Sequence, residues 1–336
     1  MARLRVLIIG RAKELSAEAA MYRTLTRLGH VAALVDDRRL RQLVGRRAGS
    51  EYIRAKARAF RPDRIIAAKP HDVELDVLAD ICARTPAVMW YRDLTIPPDP
   101  ALVERAPFFD VIFLTPGGQA PLWERLGAKR ALFLPDCADP LYERPMPAVP
   151  EWFCDVGFIG RGNQHGDTRA QFLVRLAQRF NVRVWGQGWE SHAGVLHNGG
   201  ETAYGEDFGR ACASARIVLG ANIQSQIEHQ VHGYQSNRMV KVLAAKGFYL
   251  GHGTAGLREL FRDGEHCAWY DDEPHAVEMI ERYLGDDGLR DRVREQGHAF
   301  LLEHHTFENR LYNLVTGEPW VNPLTQGGPS VRLARA

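Results

Sequence analysis

The sequence has no long hydrophobic run, few cysteines and almost no net charge, and each shortage excludes a class of protein. Its longest uncharged apolar stretches, Val6–Gly10 and Val111–Pro116, fall far short of the roughly 20 residues that a membrane-spanning helix requires. The opening MARLRVLIIGRAKELS joins a short basic end to an apolar run of strand length, with no small-residue cleavage site, so a cytoplasmic location is expected. The five cysteines, Cys82, Cys137, Cys154, Cys212 and Cys267, contain no C-x-x-C pair, which argues against both a disulfide framework and a zinc site. A net charge of +2, from 43 Lys and Arg against 41 Asp and Glu, carries no global signal for nucleic acid. Motifs are short as well. Only one glycine, Gly10, follows the first apolar run, so the G-x-G-x-x-G dinucleotide fingerprint is absent from that loop; neither G-x-x-x-x-G-K-[ST] nor G-x-S-x-G occurs in the chain. Dehydrogenases, P-loop NTPases and α/β-hydrolases are thereby disfavoured.

What is present is alternation. Val6–Gly10, Val31–Val35, Arg64–Ala68, Ala87–Tyr91, Val111–Thr115 and Ala131–Leu134 read as strands. Between them Ala17–Leu28, Leu40–Phe60, Val73–Ala83, Pro100–Arg105 and Ala120–Leu126 read as helices, and Gly29 as a C-cap. Strands that are apolar on both faces and alternate with helices predict a parallel sheet covered on both sides. A proline-rich stretch from Pro135 to Pro150 interrupts the pattern, because proline continues neither a helix nor a central strand. The alternation then restarts at Cys154–Ile159 and runs to a last helix at Phe307–Val315. The expected organisation is a Rossmann-like domain over 1–140, a linker over 141–151, a second Rossmann-like domain over 152–316 and a tail over 317–336, with the two domains facing a cleft.

Ligands of such sheets bind beyond the carboxyl ends of the strands. Val156-Gly157-Phe158-Ile159-Gly160-Arg161-Gly162-Asn163 reads either as an anion-holding loop or as a tight turn capped by Asp167 or Thr168. In Ser236-Asn237-Arg238-Met239-Val240-Lys241, Ser236 or Asn237 caps a helix whose first turns carry Arg238 and Lys241 on one face. Cations there oppose the helix dipole, and a bound anion would relieve that opposition. Gly253, Thr254, Gly256 and Leu257 open another short helix and point backbone N–H groups at a ligand. Gly186-Gln187-Gly188-Trp189 offers a planar side chain beside glycines, with Trp189 either bordering a base or filling core.

At these residues the chain resembles GT-B fold glycosyltransferases, specifically the CgeB-like (spore-maturation-type) group with a glycosyltransferase family 1/4-like carboxyl-terminal domain. The likeness rests on Ser236-Asn237-Arg238 and Lys241–Leu250, Gly256–Phe261, Gly264-Glu265-His266, Tyr270-Asp271-Asp272, and Glu303–Arg310, with Phe158-Ile159-Gly160 and Trp185–Trp189 upstream. It covers most of residues 152–316. The resemblance implies transfer of a sugar from a UDP-, GDP- or TDP-linked donor, held mainly by the second domain, to an acceptor held by the first. It also implies that no metal or other cofactor is needed. Gly160, Arg161, Gly186, Gln187, Trp189, Ser236, Asn237, Arg238, Lys241, Gly253, Thr254, Gly256 and Leu257 would bind the donor. Arg238 and Lys241 would stabilise the leaving diphosphate. Lys241 stands about where that family often has a ribose-binding glutamate.

His71, Asp93 and Glu104, near strand ends of the first domain, are the candidate general bases for an inverting reaction, while a retaining one needs none. His229 and His232 read as loop residues without a third metal ligand, and Asp271-Asp272 as a helix start. The basic run Arg38, Arg39, Arg41, Arg46, Arg47, Arg54, Lys56, Arg58 and Arg61 is a solvated face, or a surface for anionic lipid head groups, a phosphorylated glycan or nucleic acid. The acceptor class stays open among glycan, lipid-linked glycan, protein, small molecule and nucleic acid, with peripheral membrane contact compatible. Two other readings of the same architecture are a nucleotide-sugar epimerase and a non-catalytic nucleotide- or glycan-binding protein.

Overall fold

The computed structural model describes residues 2–162, 168–192, 194–200, 204–221, 231–326 and 331–336. The chain divides into two units. The first comprises Met1–Pro135, Phe307–Val321 and Ser330–Ala336, the second Asp136–Thr306 and Asn322–Pro329. The sequence pattern would end the first unit near residue 140 and give the Phe307–Thr316 helix to the second. Contacts instead assign that helix to the first unit, where it packs against the Ala17–Arg27 helix. The stretch expected as a linker, 141–151, is part of the second unit.

The first unit is built on six parallel strands, β1 (Arg5–Ile9), β2 (Val31–Val35), β3 (Arg64–Ala67), β4 (Ala87–Tyr91), β5 (Val111–Leu114) and β6 (Ala131–Phe133), in the order β2-β1-β3-β4-β5-β6. Val6, Leu7, Ile8 and Ile9 are all fully buried, which is why β1 reads as an unbroken apolar run and not as an alternating one. The order reverses between β1 and β3, so the loops that follow these strands flank a topological switch point.

The expected single helix over Leu40–Phe60 is two helices, Asp37–Val44 and Arg46–Phe60, broken at Gly45. Gly45 has φ 82°, a left-handed conformation that glycine adopts without steric cost. Five of their eight basic residues, Arg41, Arg46, Arg47, Arg54 and Arg58, pair with carboxylates on or just before the Leu75–Arg84 helix. Arg47 and Arg54 both reach Asp76, at 2.8 and 2.9 Å, and Arg58 lies 3.1 Å from Asp80. Most of the basic run is thus an ion-pair network, not a set of free charges.

The second unit repeats the design with β7 (Cys154–Ile159), β8 (Val182–Trp185), β9 (His197–Asn198), β10 (Ala215–Gly220), β11 (Tyr249–His252) and β12 (Ala268–Tyr270). All pairings are parallel, in the order β12-β11-β10-β7-β8-β9. Asp272 caps the Glu273–Gly285 helix by accepting from the His275 N–H at 2.8 Å, so the Asp271-Asp272 pair is a helix start, as expected. Among the described residues no helix is long and apolar enough to cross a membrane.

One carboxyl in the first unit sits at odds with its surroundings. Asp37, 4% exposed, is pushed from 3.8 up to about 6 by burial, although the Asp72 N–H donates to it at 3.2 Å. A raised carboxyl holds its proton more tightly in the folded state, so stability falls as pH rises from about 4 to about 6. Asp37→Asn should therefore gain roughly 1–3 kcal/mol over the parent at neutral pH and nothing near pH 4. Urea unfolding of both proteins across that range checks this, and a pH-independent difference would refute it.

Candidate functional site

In the second unit the loops after β7 and β8 extend the parallel ladder beyond the strands. The Gly160 N–H donates to Trp185 O at 2.8 Å and the Gly162 N–H to Gln187 O at 2.9 Å. Backbones this close leave no room for side chains. A Cβ on Gly186 would lie 2.1 Å from Gly160 O, and Gly186 has φ 139°. Here the glycines serve packing between two loops, and the result is a flat floor carrying Arg161 and Gln187.

Above that floor starts the Asn237–Ala244 helix, with Ser236 as N-cap. Arg238 in its first turn runs back under β7. Its Nε donates to Ile159 O at 2.5 Å and its guanidinium carbon lies 4.3 Å from the centroid of the Phe158 ring. A Cβ on Gly160 would sit 2.5 Å from Nη2 of Arg238, so this path needs glycine there. Burial lowers the Arg238 guanidinium to about 10, which leaves it charged at neutral pH. Among the described residues no carboxylate forms an ion pair with Arg238 or Arg161. A half-buried cation satisfied only by carbonyls and a ring favours an anion at its open side.

These residues line a cavity of about 410 Å³ bounded by Ile159, Gly160, Arg161, Trp185, Gly186, Gln187, Tyr204, Phe208, Asn237, Arg238 and Lys241. Seven of the residues singled out in the sequence are thereby brought together: Gly160, Arg161, Gly186, Gln187, Asn237, Arg238 and Lys241. Lys241 is not a free cation, because its Nζ lies 3.1 Å from Glu143 Oε1, whose other oxygen accepts the Asp139 N–H at 2.8 Å.

Other expected residues lie elsewhere. Trp189 is fully buried, packs edge-on to Phe158 at 5.7 Å and donates its indole N–H to Gly160 O at 2.9 Å. It is core that holds the floor, and no base can stack on it. Ser236, Gly253, Thr254, Gly256 and Leu257 are not among the residues lining the cavity. Thr254 is buried and caps Leu257, and the space beside Gly253 is filled by the Arg258 guanidinium, which also pairs with Asp271 at 2.5 Å. His232 is half-buried and likewise off the lining. Asn163, Asp167 and His229 lie outside the described residues. No local sequence motif marks Tyr204 and Phe208, which line the cavity, or Glu143, which pairs with Lys241.

In the first unit the loop after β3 is clamped by a buried arginine. Arg105 donates from Nε to Pro70 O at 2.9 Å, from Nη2 to the carbonyls of His71 and Val73 at 3.0 Å each, and from Nη1 to Ala101 O at 2.6 Å. The clamp presents His71, whose Nε2 lies 2.7 Å from Asp99 Oδ2. An acceptor-only carboxylate places the proton on Nε2, leaving Nδ1 as the basic nitrogen. Burial pulls the Asp99 carboxyl upward, but the His71 side chain and the Ala101 N–H more than offset it, so it stays below its ordinary range. Asp93 is engaged by Lys69, and Glu104 is exposed, with Arg105 Nη1 3.7 Å away. Burial pushes the Cys82 and Cys154 thiols up to about 12, too high for nucleophiles at neutral pH.

Residues 168–316 match the sequence model of a family described as glycosyl transferase-like. No curated protein matches the sequence. Among solved structures, a glycosyltransferase from Rickettsia africae aligns with TM-score 0.64 and 9% identity, over 94% of this chain and 99% of its own. Anabaena HepE in complex with UDP aligns with TM-score 0.60 and 12% identity, over 94% and 100%. Sucrose-phosphate synthase from Thermosynechococcus elongatus gives TM-score 0.63 and 9% identity, over 94% and 100%. The chain thus has the GT-B fold and carries a glycosyltransferase-like domain.

The glycine packing separates two costs. Gly186→Ala meets both a carbonyl and a left-handed backbone, whereas Gly200, at φ 128°, has nothing within 4 Å of its absent Cβ. Gly186→Ala should cost roughly 2–4 kcal/mol and Gly200→Ala only about 1–2 kcal/mol. Thermal unfolding of the two variants checks the order, and equal losses would contradict the close approach of the loops.

Proposed function

We propose that the chain is a glycosyltransferase of the CgeB-like group, moving a sugar from a nucleotide-diphosphate donor in the second unit to an acceptor at the first. The observation that carries this reading is the cavity whose half-buried cation, Arg238, has no carboxylate partner among the described residues. A diphosphate supplies the missing charge, and a glycine floor admits its oxygens to backbone. UDP is the first nucleotide to test, because the HepE structures hold UDP, UDP with glucose, and UDP-glucose.

As the sugar leaves, negative charge grows on the diphosphate, and Arg238 and Arg161 are already in place to offset it. The proposal therefore asks for no metal ion, and chelators should leave turnover unchanged. Lys241, held by Glu143, plays a different part. An ion pair presents a donor and an acceptor side by side, which suits a sugar hydroxyl better than a phosphate. At the first unit, His71 Nδ1 takes the proton of the attacking acceptor hydroxyl while Asp99 steadies the imidazolium. Five free cysteines suit a reducing, cytoplasmic setting.

Mass spectrometry of candidate acceptors incubated with UDP-, GDP- and TDP-sugars tests the reading, and absence of both transfer and donor hydrolysis would overturn it. Arg238→Ala should weaken UDP binding by roughly 1.5–3 kcal/mol, the range for charge-assisted hydrogen bonds. Unchanged affinity by calorimetry in a folded variant would remove the donor from this cavity. His71→Ala should lower kcat by about 10²–10⁴ with little change in KM. Undiminished transfer would dismiss the base and point to retention of anomeric configuration.

A further inference from the structure

The Asp37–Val44 helix is poorly used by the first unit. Of its eight residues only Asp37 is buried. Leu40 packs on the next helix, where a Cβ on Gly49 would lie 3.0 Å from Leu40 Cβ. One turn later Leu43 and Val44 are 68% and 55% exposed, and every residue from Arg41 to Ala48 is exposed. An adjacent pair of large apolar side chains at a glycine corner gains nothing from this position in water.

The surroundings of the pair are basic. Residues 37–60 carry eight Lys and Arg side chains against two carboxylates. Arg41 and Arg47 are tied to Asp72 and Asp76 at 2.7 and 2.8 Å, but Arg38 and Arg39 have no carboxylate partner among the described residues. Exposed ion pairs of this kind hold weakly and can yield to other anions. Guanidinium groups also match phosphate in a two-pronged geometry.

From this juxtaposition we infer that the corner formed by the two helices docks on an anionic phospholipid bilayer, with Leu43 and Val44 entering the headgroup boundary and Arg38 and Arg39 on lipid phosphates. Apolar tips flanked by arginine are the pattern of interfacial helices. A nucleic acid would meet the cations but leave the apolar pair in water, so the bilayer accounts for both features. The inference is independent of which sugar or acceptor the chain uses.

Flotation of the full chain with vesicles of phosphatidylcholine and phosphatidylglycerol in equal parts, compared with phosphatidylcholine alone, tests it. The parent should float with the anionic vesicles only, and less at high salt. Each cation near an anionic surface is worth about fivefold in partitioning, so Arg38→Glu with Arg39→Glu should weaken binding by at least roughly 30-fold. Leu43→Asp with Val44→Asp should abolish it, while circular dichroism and UDP affinity stay as in the parent because all four residues are exposed. A parent that floats with neither vesicle, or variants that float as the parent does, would overturn the inference. So would a concentration-dependent dimer, dissolved by Leu43→Asp, in a protein that ignores vesicles, which would assign the corner to a second copy of the chain.

Discussion

The second unit's site depends on keeping one guanidinium charged while most of its surface is withdrawn from water. Arg238 meets that demand with a carbonyl, Ile159 O, and the face of Phe158. Neither partner neutralises it, so the positive field survives at the side that borders the cavity. The requirement spreads outward. Gly160 must be glycine to let the side chain pass, Gly186 must be glycine to approach Gly160, and Trp189 must be buried to close Gly160 O. What reads in sequence as a set of binding residues is in part the mounting of a single cation.

The first unit uses the same residue type in the opposite way. Arg105 spends four of its five donors on backbone carbonyls, three in the loop after β3 and one in the Pro100–Val103 helix. Its effect is mechanical: a strand-to-helix loop that would otherwise carry orphan carbonyls is locked, and His71 is presented from a rigid base. The contrast sorts the two arginines by where their donors go: those of Arg105 hold the chain's own backbone, while Arg238 borders the cavity.

All six strands of the first sheet were legible because short continuous apolar runs that alternate with helices suit a parallel sheet covered on both faces. The break at Gly45 was not, since glycine is tolerated within a helix and only its φ distinguishes a corner. Arg238 was legible from its place in a helix's first turn, where an unexplained cation stands out. Lys241 was read as its equal, because its partner Glu143 comes from a proline-rich stretch remote in sequence that looked like a spacer. Trp189 was ambiguous for a plain reason: beside glycines, an indole that binds and an indole that supports have the same local pattern.

The first unit is discontinuous, and that bears on how the chain is made. Its Phe307–Thr316 helix covers the Ala17–Arg27 helix, and Leu333 and Ala336 bond back to Glu308 and Leu28. A ribosome therefore releases the whole second unit before the first can be closed. The half that emerges first waits longest with part of its apolar surface uncovered, so the order of synthesis and the order of completion are reversed.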